Sequence, residues 1–192
     1  MAQIIGLCGS LRRSSYNLGL LKAAAQTVPS WATIEIADIH DIPLYNLDIE
    51  ERGIPPRVKA LKQRLRSADG LLIATPEYNS SIPGVLKNAV DWLSRPADDI
   101  EEVFGDLPVA LMGTTPGSVG TVQSQTAWLP VLKHLRTRVW SGGRLGLSKA
   151  AEVFDADGTL EDDEVRETVR EFVLGFAEFA AASPRARNKP PA

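Results

Sequence analysis

The sequence predicts an α/β domain in which helices cover both faces of a doubly wound, five-stranded parallel sheet with strand order 2-1-3-4-5. Short apolar runs, typical of strands, alternate along the chain with segments whose apolar residues recur at helical spacing. Right-handed crossovers between parallel strands place such helices on both sides of one sheet. In this architecture the ligand crevice opens at the carboxyl ends of strands 1 and 3, where the winding direction reverses.

Five apolar runs are the predicted strands. Residues 4–8, 71–74 and 109–112 are almost continuously apolar, which is typical of strands buried on both faces. Residues 34–36 alternate between apolar and acidic, which predicts a half-exposed edge strand. A weaker fifth strand is predicted at residues 138–140.

Five helices are predicted between and after these strands. Pro130 interrupts the fourth, so we expect that helix to be kinked or shortened. The fifth is a long C-terminal helix. The residues that carry the helical spacing are Leu18, Leu21 and Ala25; Val58, Leu61 and Leu65; Leu86, Ala89, Val90 and Leu93; the segment 123–135; and Val165, Val169, Phe172, Val173, Phe176 and Phe179.

The length of 192 residues suits one domain, which we place at residues 1–182. Residues 183–192 contain three prolines, two arginines and one lysine without an apolar face. Such a segment cannot bury enough surface to order itself, so we predict a disordered tail. A basic anchor for an acidic partner is the alternative.

Composition argues against several classes of protein. The formal net charge of -3 gives no broad positive field for nucleic acid. The N-terminal residues do not resemble a secretory signal, and every apolar run is shorter than the roughly 20 residues of a membrane helix, so we expect a cytoplasmic protein without a membrane partner. One cysteine and two histidines make an intrachain disulfide impossible and a protein metal site unexpected.

The segment 9–17, called the first loop, leads from the first strand into the first helix. Ser10, Ser15 and Asn17 offer short polar donors, and Arg12 offers a charge-assisted fork beside the amides of a helix N-terminus. We therefore predict that the loop binds one phosphate group. The alternative is that Ser15 or Asn17 only caps the helix while the arginines face solvent. Neither the three-glycine dinucleotide pattern nor the Walker pattern occurs here.

The segment 75–84, called the second loop, follows the third strand. Pro76 and Pro83 stiffen its two ends, which lowers the entropy lost when a binding loop becomes ordered. Tyr78 and Asn79 offer a flat surface and an amide to a planar heterocycle. Alternatively, the segment is only a turn that begins the third helix, with Tyr78 as an ordinary surface residue.

The first loop, together with Pro-Glu-Tyr-Asn-Ser-Ser-Ile-Pro-Gly-Val-Leu-Lys-Asn-Ala-Val-Asp-Trp, resembles the NADPH-dependent FMN reductase family, which includes chromate, quinone and azo-compound reductases. The similarity spans residues 3–181 in element order. It implies a flavodoxin-like fold that binds FMN and uses NADPH or NADH as electron donor.

The resemblance also implies the roles of individual residues. Those at the phosphate would be Ser10, Arg12, Ser15 and Asn17, and those around the isoalloxazine would be Pro76, Glu77, Tyr78 and Asn79. We expect the segment 114–120, called the third loop, to close the remaining side through Thr114 and Gly117, because its glycines let backbone amides approach the ring. A plain Gly/Pro turn is the alternative for this loop.

The activity expected from the resemblance needs no catalytic side chain, because FMN accepts hydride at N5 and the protein mainly positions it. Electrons would pass by a ping-pong cycle to a flavin, quinone, azo or metal-oxyanion acceptor. Two alternatives remain. One is a flavodoxin-type electron carrier that does not oxidise nicotinamide, and the other is an interaction protein that has lost its flavin.

Apolar residues on and beside the second loop predict self-association. Ile82, Val85, Trp92 and Leu93 are expected to expose apolar surface near the flavin, and the family resemblance points the same way. We therefore predict a homodimer or a homotetramer. Cys8 is expected to be a small core residue.

Overall fold

The computed structural model describes residues 1–182 and Arg185. Its sheet is parallel and has the order β2-β1-β3-β4-β5, with a sixth strand that also pairs with β4. The predicted strand order is therefore confirmed, and β2 lies at the edge. The strands are β1 (Ala2–Cys8), β2 (Ala32–Ala37), β3 (Gly70–Ala74), β4 (Pro108–Thr114), β5 (Arg138–Val139) and β6 (Leu145–Leu147).

Eight α-helices lie in the described part of the chain, and the five predicted ones are among them. None of these helices combines the length and apolarity needed to cross a membrane. The helices are α1 (Tyr16–Thr27), α2 (Leu47–Glu50), α3 (Pro56–Ser67), α4 (Gly84–Leu93), α5 (Ile100–Val103), α6 (Val122–His134), α7 (Ala150–Val153) and α8 (Asp163–Ala182), with a 3-10 turn at Ala97–Asp99.

The core consists of two apolar layers, one on each face of the sheet. In β3, Leu71 and Ile73 pack into the layer beneath α3, α4 and α6, whereas Leu72 and Ala74 pack into the layer beneath α1 and α8. Both faces are therefore buried, which is the physical reason for the nearly continuous apolar runs.

The far edge of the sheet differs from the prediction. The fifth strand has only two residues, which pair with Pro108 and Val109, and β6 pairs with residues 112–114 of the same strand. The segment between β5 and β6 leaves the sheet, so two short strands share one edge. A three-residue strand centred on Gly146 gives too short a pattern to recognise.

Pro130 does not shorten α6, so that part of the prediction was wrong, whereas the predicted kink stays a prediction. The helix continues from Val122 to His134 with Pro130 on its exposed side. A proline inside a helix removes one backbone hydrogen bond and costs about 3 kcal/mol. Trp128 and Leu132, buried on either side of it, pack into the core and offset that cost.

The apolar face proposed for self-association is smaller than predicted. Trp92 and Leu93 are fully buried within the chain, and the indole nitrogen of Trp92 donates to the carbonyl oxygen of Pro43 at 2.8 Å. Their placement on the surface was wrong, because α4 turns both residues into the core. Val85 is exposed and Ile82 is half-buried.

The predicted tail, 183–192, lies outside the described residues except for Arg185, and the prediction of disorder stays a prediction for the others. Arg185 itself is held against the rest of the protein, which differs from the prediction for this residue. Its side chain is buried, and its guanidinium donates at the carboxyl ends of α3 and α5 to the backbone carbonyl oxygens of Leu65, Glu102, Val103 and Gly105.

Candidate functional site

A crevice of about 180 Å³ opens where the first, second and third loops meet, at the carboxyl ends of β1, β3 and β4. This is the switch point predicted from the strand order. Eight of the ten predicted site residues line it, whereas Asn79 and Gly117 do not. The lining residues are Ser10, Arg12, Ser15, Tyr16, Asn17, Pro76, Glu77, Tyr78, Thr114, Thr115 and Pro116.

The first loop places a helix N-terminus at the crevice. The hydroxyl oxygen of Ser15 accepts the backbone N–H of Leu18 at 3.3 Å and so caps α1. The hydroxyl oxygen of Ser10 accepts the N–H of Arg12 at 3.4 Å. Capping, the predicted alternative, therefore occurs, and it leaves the Ser15 hydroxyl hydrogen able to donate to a ligand.

Gly9 is required by packing at the start of the first loop. A Cβ atom at this position would lie 2.8 Å from atoms of both Pro76 and Pro83. The N–H of Gly9 also donates to the carbonyl oxygen of Ala74 at 2.9 Å. The first and second loops are thus fixed against each other by direct contact.

Arg12 lies at the rim of the crevice with its side chain exposed. Its guanidinium sits 5.0 Å from the ring centroid of Tyr16 and donates to the carbonyl oxygen of Ser14. Because both contacts are at the surface, a phosphate in the crevice could replace them at low cost.

Asn17 has a role that the sequence did not predict. Its side chain is buried, its Nδ2 donates to the carbonyl oxygen of Thr114 at 2.8 Å, and its Oδ1 accepts the N–H of Thr114 at 3.0 Å. The amide therefore clamps the start of α1 to the end of β4. Its predicted contact with the phosphate stays a prediction and would need the second N–H of the amide or the backbone.

A tight turn forms the tip of the second loop. Asn79 and Ser80 have φ angles of 51° and 59°, and Tyr78 and Ser81 exchange backbone hydrogen bonds of 3.2 and 3.1 Å. Two successive positive φ angles define a type I′ turn, and asparagine tolerates this conformation well. Tyr78 is half exposed beside the crevice, whereas Asn79 lies at the outer tip.

Glu77 connects the second loop to α6. Its Oε2 accepts the backbone N–H groups of Gln123 at 2.8 Å and Ser124 at 3.1 Å, which are orphan donors of the first helical turn. A carboxylate at this end also complements the helix dipole. Glu77 therefore caps α6, and its predicted place beside the isoalloxazine stays a prediction.

A buried network behind Glu77 was missed in the sequence. The hydroxyl groups of Thr75 and Ser124 lie 2.7 Å apart, and the indole nitrogen of Trp128 donates to Thr75 at 3.1 Å. All three residues are fully buried. Their types occur in any amphipathic helix or strand end, so only the fold shows that they join the second loop to α6.

Thr114 provides the test of whether a polar ligand fits the crevice. Its side chain is buried, and its hydroxyl oxygen has no hydrogen-bond partner among the described residues. A buried polar group without a partner costs about 1–3 kcal/mol. Because the oxygen itself is buried, a ligand with hydroxyl and phosphate oxygens, such as FMN, would supply that partner once the Thr114 side chain turns towards the crevice that Thr114 lines.

The third loop is tied to β6 and to the segment that follows it. The N–H of Thr115 donates to the carbonyl oxygen of Leu147 at 3.1 Å, and the N–H of Lys149 donates to the carbonyl oxygen of Gly117 at 2.8 Å. The N–H of Gly117 donates to the hydroxyl oxygen of Thr115 at 3.3 Å. Both backbone polar groups of Gly117 therefore already have partners within the protein. The predicted contact of Gly117 with the isoalloxazine ring stays a prediction.

Cys8 lies at the end of β1 and is buried, as predicted. Burial raises the pKa of its thiol, which therefore stays protonated at neutral pH. The Sγ–H donates to the carbonyl oxygen of Ser10 at 3.6 Å. These properties suit a packing role beneath the first loop rather than a nucleophile.

Comparison with known proteins agrees with this geometry. The family model described as NADPH-dependent FMN reductase matches residues 2–152. An NAD(P)H-dependent FMN reductase of Pseudomonas aeruginosa is 43% identical over 169 residues, covering 88% of this chain and 90% of the relative. A 2-hydroxy-1,4-benzoquinone reductase of a Burkholderia species is 37% identical over 175 residues, covering 91% and 94%.

A solved structure supports the same architecture. The flavoenzyme NAD(P)H:(acceptor) oxidoreductase FerB of Paracoccus denitrificans superimposes with a TM-score of 0.85 at 31% identity, covering 96% of this chain and all of that one. The predicted flavodoxin-like fold is thus confirmed. These relatives are oxidoreductases, which favours an enzyme over an electron carrier or an interaction protein.

Proposed function

Since this chain belongs to the NADPH-dependent FMN reductase family and is an NAD(P)H-dependent flavin oxidoreductase, we propose that it binds FMN in the three-loop crevice and reduces quinones. The observation that carries the proposal is the crevice itself. It combines a helix N-terminus, an exposed tyrosine and the buried hydroxyl group of Thr114, which has no hydrogen-bond partner in the described part of the chain.

We assign the parts of the crevice by their chemistry. The N-terminal amides of α1, with Ser10, Arg12 and Ser15, suit a phosphate dianion. The Thr114 hydroxyl suits the polar chain of the cofactor, and Tyr78 suits the edge or face of its ring. When bound, FMN supplies the two-electron chemistry between the nicotinamide and the acceptor, while these residues fix its position.

The acceptor class is inferred from the exposed side of the crevice and from the relatives. Tyr78 is 51% exposed beside Pro76, so a planar molecule could stack there without a deep pocket. The Burkholderia relative is named for a benzoquinone. We propose that nicotinamide and quinone occupy this surface in turn, which predicts ping-pong kinetics. Flavin, azo and metal-oxyanion acceptors are alternatives for the same surface.

Self-association and location belong to the proposal as well. Tyr78 lines the crevice and is half exposed, and Val85 in the first turn of α4 is also exposed, so a second copy of the chain could cover apolar surface at these residues. We propose a homodimer or homotetramer in the cytoplasm. Sedimentation of the flavin-loaded protein tests the assembly, and a monomer at micromolar concentration would contradict it.

Purification followed by an absorbance spectrum and anaerobic titration tests cofactor and donor together. We expect a flavin spectrum that is bleached by NADPH or NADH and restored by 1,4-benzoquinone. Initial rates over a grid of donor and quinone concentrations should give parallel double-reciprocal lines. A colourless protein that ignores added FMN, or a bleached protein that quinone does not reoxidise, would contradict the proposal.

A further inference from the structure

His40 connects the segment after β2 to the first loop. Its Nε2 lies 3.1 Å from the carbonyl oxygen of Leu11, and its Nδ1 lies 2.7 Å from Oδ1 of Asp38. Leu11 stands between Ser10 and Arg12, the residues assigned to the FMN phosphate. The imidazole is thus a bridge between a carboxylate on its own segment and the backbone of the proposed phosphate site.

The carboxylate end of this bridge is fixed from two sides. The backbone N–H of His40 donates to Oδ1 of Asp38 at 3.0 Å, and the guanidinium of Arg57 in α3 lies 2.5 Å from Oδ2. Asp38 therefore has a defined orientation towards the imidazole. The other end of the bridge is the loop backbone, which carries the residues assigned to the ligand.

A cavity of about 280 Å³ lies beneath the bridge and is lined by both the first loop and the segment after β2. The cavity is space into which the first loop could shift if the bridge were broken. The titratable and charged groups around the imidazole are Asp38 and Asp41 from its own segment, Arg57 from α3, Cys8 from β1, and Arg12 from the first loop, whose guanidinium lies over Tyr16.

Both partners of the imidazole are hydrogen-bond acceptors. A neutral imidazole carries one N–H and can donate to only one of them, leaving a lone pair facing the other oxygen, whereas the imidazolium donates to both. The side-chain hydrogen bond with Asp38, followed by the one with the Leu11 carbonyl, raises the pKa of His40 above its ordinary value. The bridge is therefore complete only in the charged form.

We propose that His40 is a positioning residue, whose imidazolium ties the first loop to the segment after β2 and favours the loop conformation that binds the FMN phosphate. The proposal rests on the assignment of FMN to the crevice. A protein that populates its binding-competent loop more fully binds its ligand more tightly. The tether is present below the pKa of His40 and is lost as the pH rises through that pKa.

The test is the FMN dissociation constant of the wild type and of His40→Gln from about pH 5.5 to about pH 8.5. Glutamine donates from a single nitrogen and has no charge, so it cannot donate at both ends of the bridge as the imidazolium does, and in this respect it resembles the neutral imidazole. We expect His40→Gln to bind FMN about 2- to 10-fold more weakly at the acidic end and equally at the alkaline end. Ionisation of the FMN phosphate affects both proteins alike and cancels in the ratio.

Two further variants make the result specific. Asp38→Asn keeps an oxygen for the His40 N–H but removes the charge that favours the imidazolium, so it should lower the pKa of His40. Its FMN affinity should therefore fall below that of the wild type mainly at pH values between the lowered and the original pKa of His40, and should approach that of the wild type at more acidic and at alkaline pH. His134→Gln changes the exposed histidine at the end of α6. Its FMN dissociation constant should equal that of the wild type at every pH tested. A ratio for His40→Gln that is constant with pH would overturn the inference, whereas failure of all four proteins to bind FMN would overturn the proposed function instead.

Discussion

Arg12 is the residue whose charge is best placed for the FMN phosphate. Its side chain is exposed at the crevice and fills no core volume. We expect Arg12→Ala to leave the fold intact and to weaken FMN binding about 10- to 150-fold, because a charge-assisted hydrogen bond contributes about 1.5–3 kcal/mol. Titration of the FMN-free protein by flavin fluorescence measures the change, and excess FMN should restore reductase activity.

The matched control for this substitution is Arg13→Ala. Arg13 is the next residue and is also exposed, but it lines a different small cavity, beside Lys22 and Asp157. We expect its flavin affinity to match the wild type within about twofold, since surface charges at a distance contribute little. Equal losses in both variants would indicate a general effect of net charge, and full flavin content of Arg12→Ala after dialysis would refute the phosphate assignment.

Substitution of Thr114 should change the stability of the protein and its FMN affinity in opposite directions. Thr114→Val keeps the shape of the side chain and removes a buried hydroxyl that has no partner among the described residues. We expect the FMN-free protein to gain up to about 1 kcal/mol in free energy of unfolding, and FMN affinity to fall about 2- to 10-fold. Urea unfolding and flavin titration measure the two quantities.

The neighbouring variant Thr115→Val is the control for Thr114→Val. The Thr115 hydroxyl accepts the N–H of Gly117, so its loss should lower stability rather than raise it. If Thr114→Val bound FMN as well as the wild type, the unpaired hydroxyl would have no part in the ligand site.

At the scale of residues, the sequence predicted which side chains lie together better than it predicted their hydrogen-bond partners. Residue types, the switch point and the family resemblance together predicted eight residues that the structure brings to one crevice. The amide of Asn17 and the carboxylate of Glu77 can bond either a ligand or a backbone. The backbone partner of Asn17 is Thr114, 97 positions later in the chain, and that of Glu77 is Gln123, 46 positions later. Local spacing in the sequence therefore could not show that these side chains bond the backbone rather than a ligand.

At the scale of elements, Glu77 joins the second loop to α6, because its carboxylate caps the N-terminus of that helix. Glu77→Ala leaves two N–H groups of α6 without their acceptor, so we expect a loss of about 0.5–2 kcal/mol in free energy of unfolding. The second loop should also loosen, which would weaken FMN binding. Urea unfolding and flavin titration test both effects.

Glu77→Gln distinguishes capping from a direct contact with the ring. Its amide oxygen can still accept the N–H groups of Gln123 and Ser124, so we expect it to retain most of the stability and flavin affinity of the wild type. If Glu77→Gln lost as much flavin affinity as Glu77→Ala without a loss of stability, the carboxylate would be acting on the cofactor rather than on α6.

Strand and helix elements were predictable where their apolar pattern was long. The run in β3 is buried on both faces, and the periodic face of α8 extends over 20 residues. The short β6 and the path of α6 through Pro130 were not predictable, because pairing with β4 and burial of Trp128 decide them. Tertiary packing outweighs local propensity at both places.

At the scale of the whole molecule, Arg185 links the C-terminal part of the chain to α3 and α5. Its guanidinium lies at the carboxyl ends of two helices whose residues are about 80 and 120 positions earlier in the chain. Composition placed this arginine in a predicted disordered tail, because a single buried contact leaves no pattern in the sequence. The backbone carbonyl oxygens that accept its hydrogen bonds could not be predicted either, since every residue has such an oxygen.

Arg185→Ala should therefore lower the free energy of unfolding by about 1–3 kcal/mol, because several backbone carbonyl groups lose a charged donor at once. Its FMN affinity should equal that of the wild type, since α3 and α5 contribute no residue to the lining of the crevice described above. Arg187→Ala removes the same charge from the segment predicted to be disordered and should leave stability unchanged. Equal destabilisation by both substitutions would show that the charge of the tail matters and that the buried contact of Arg185 does not.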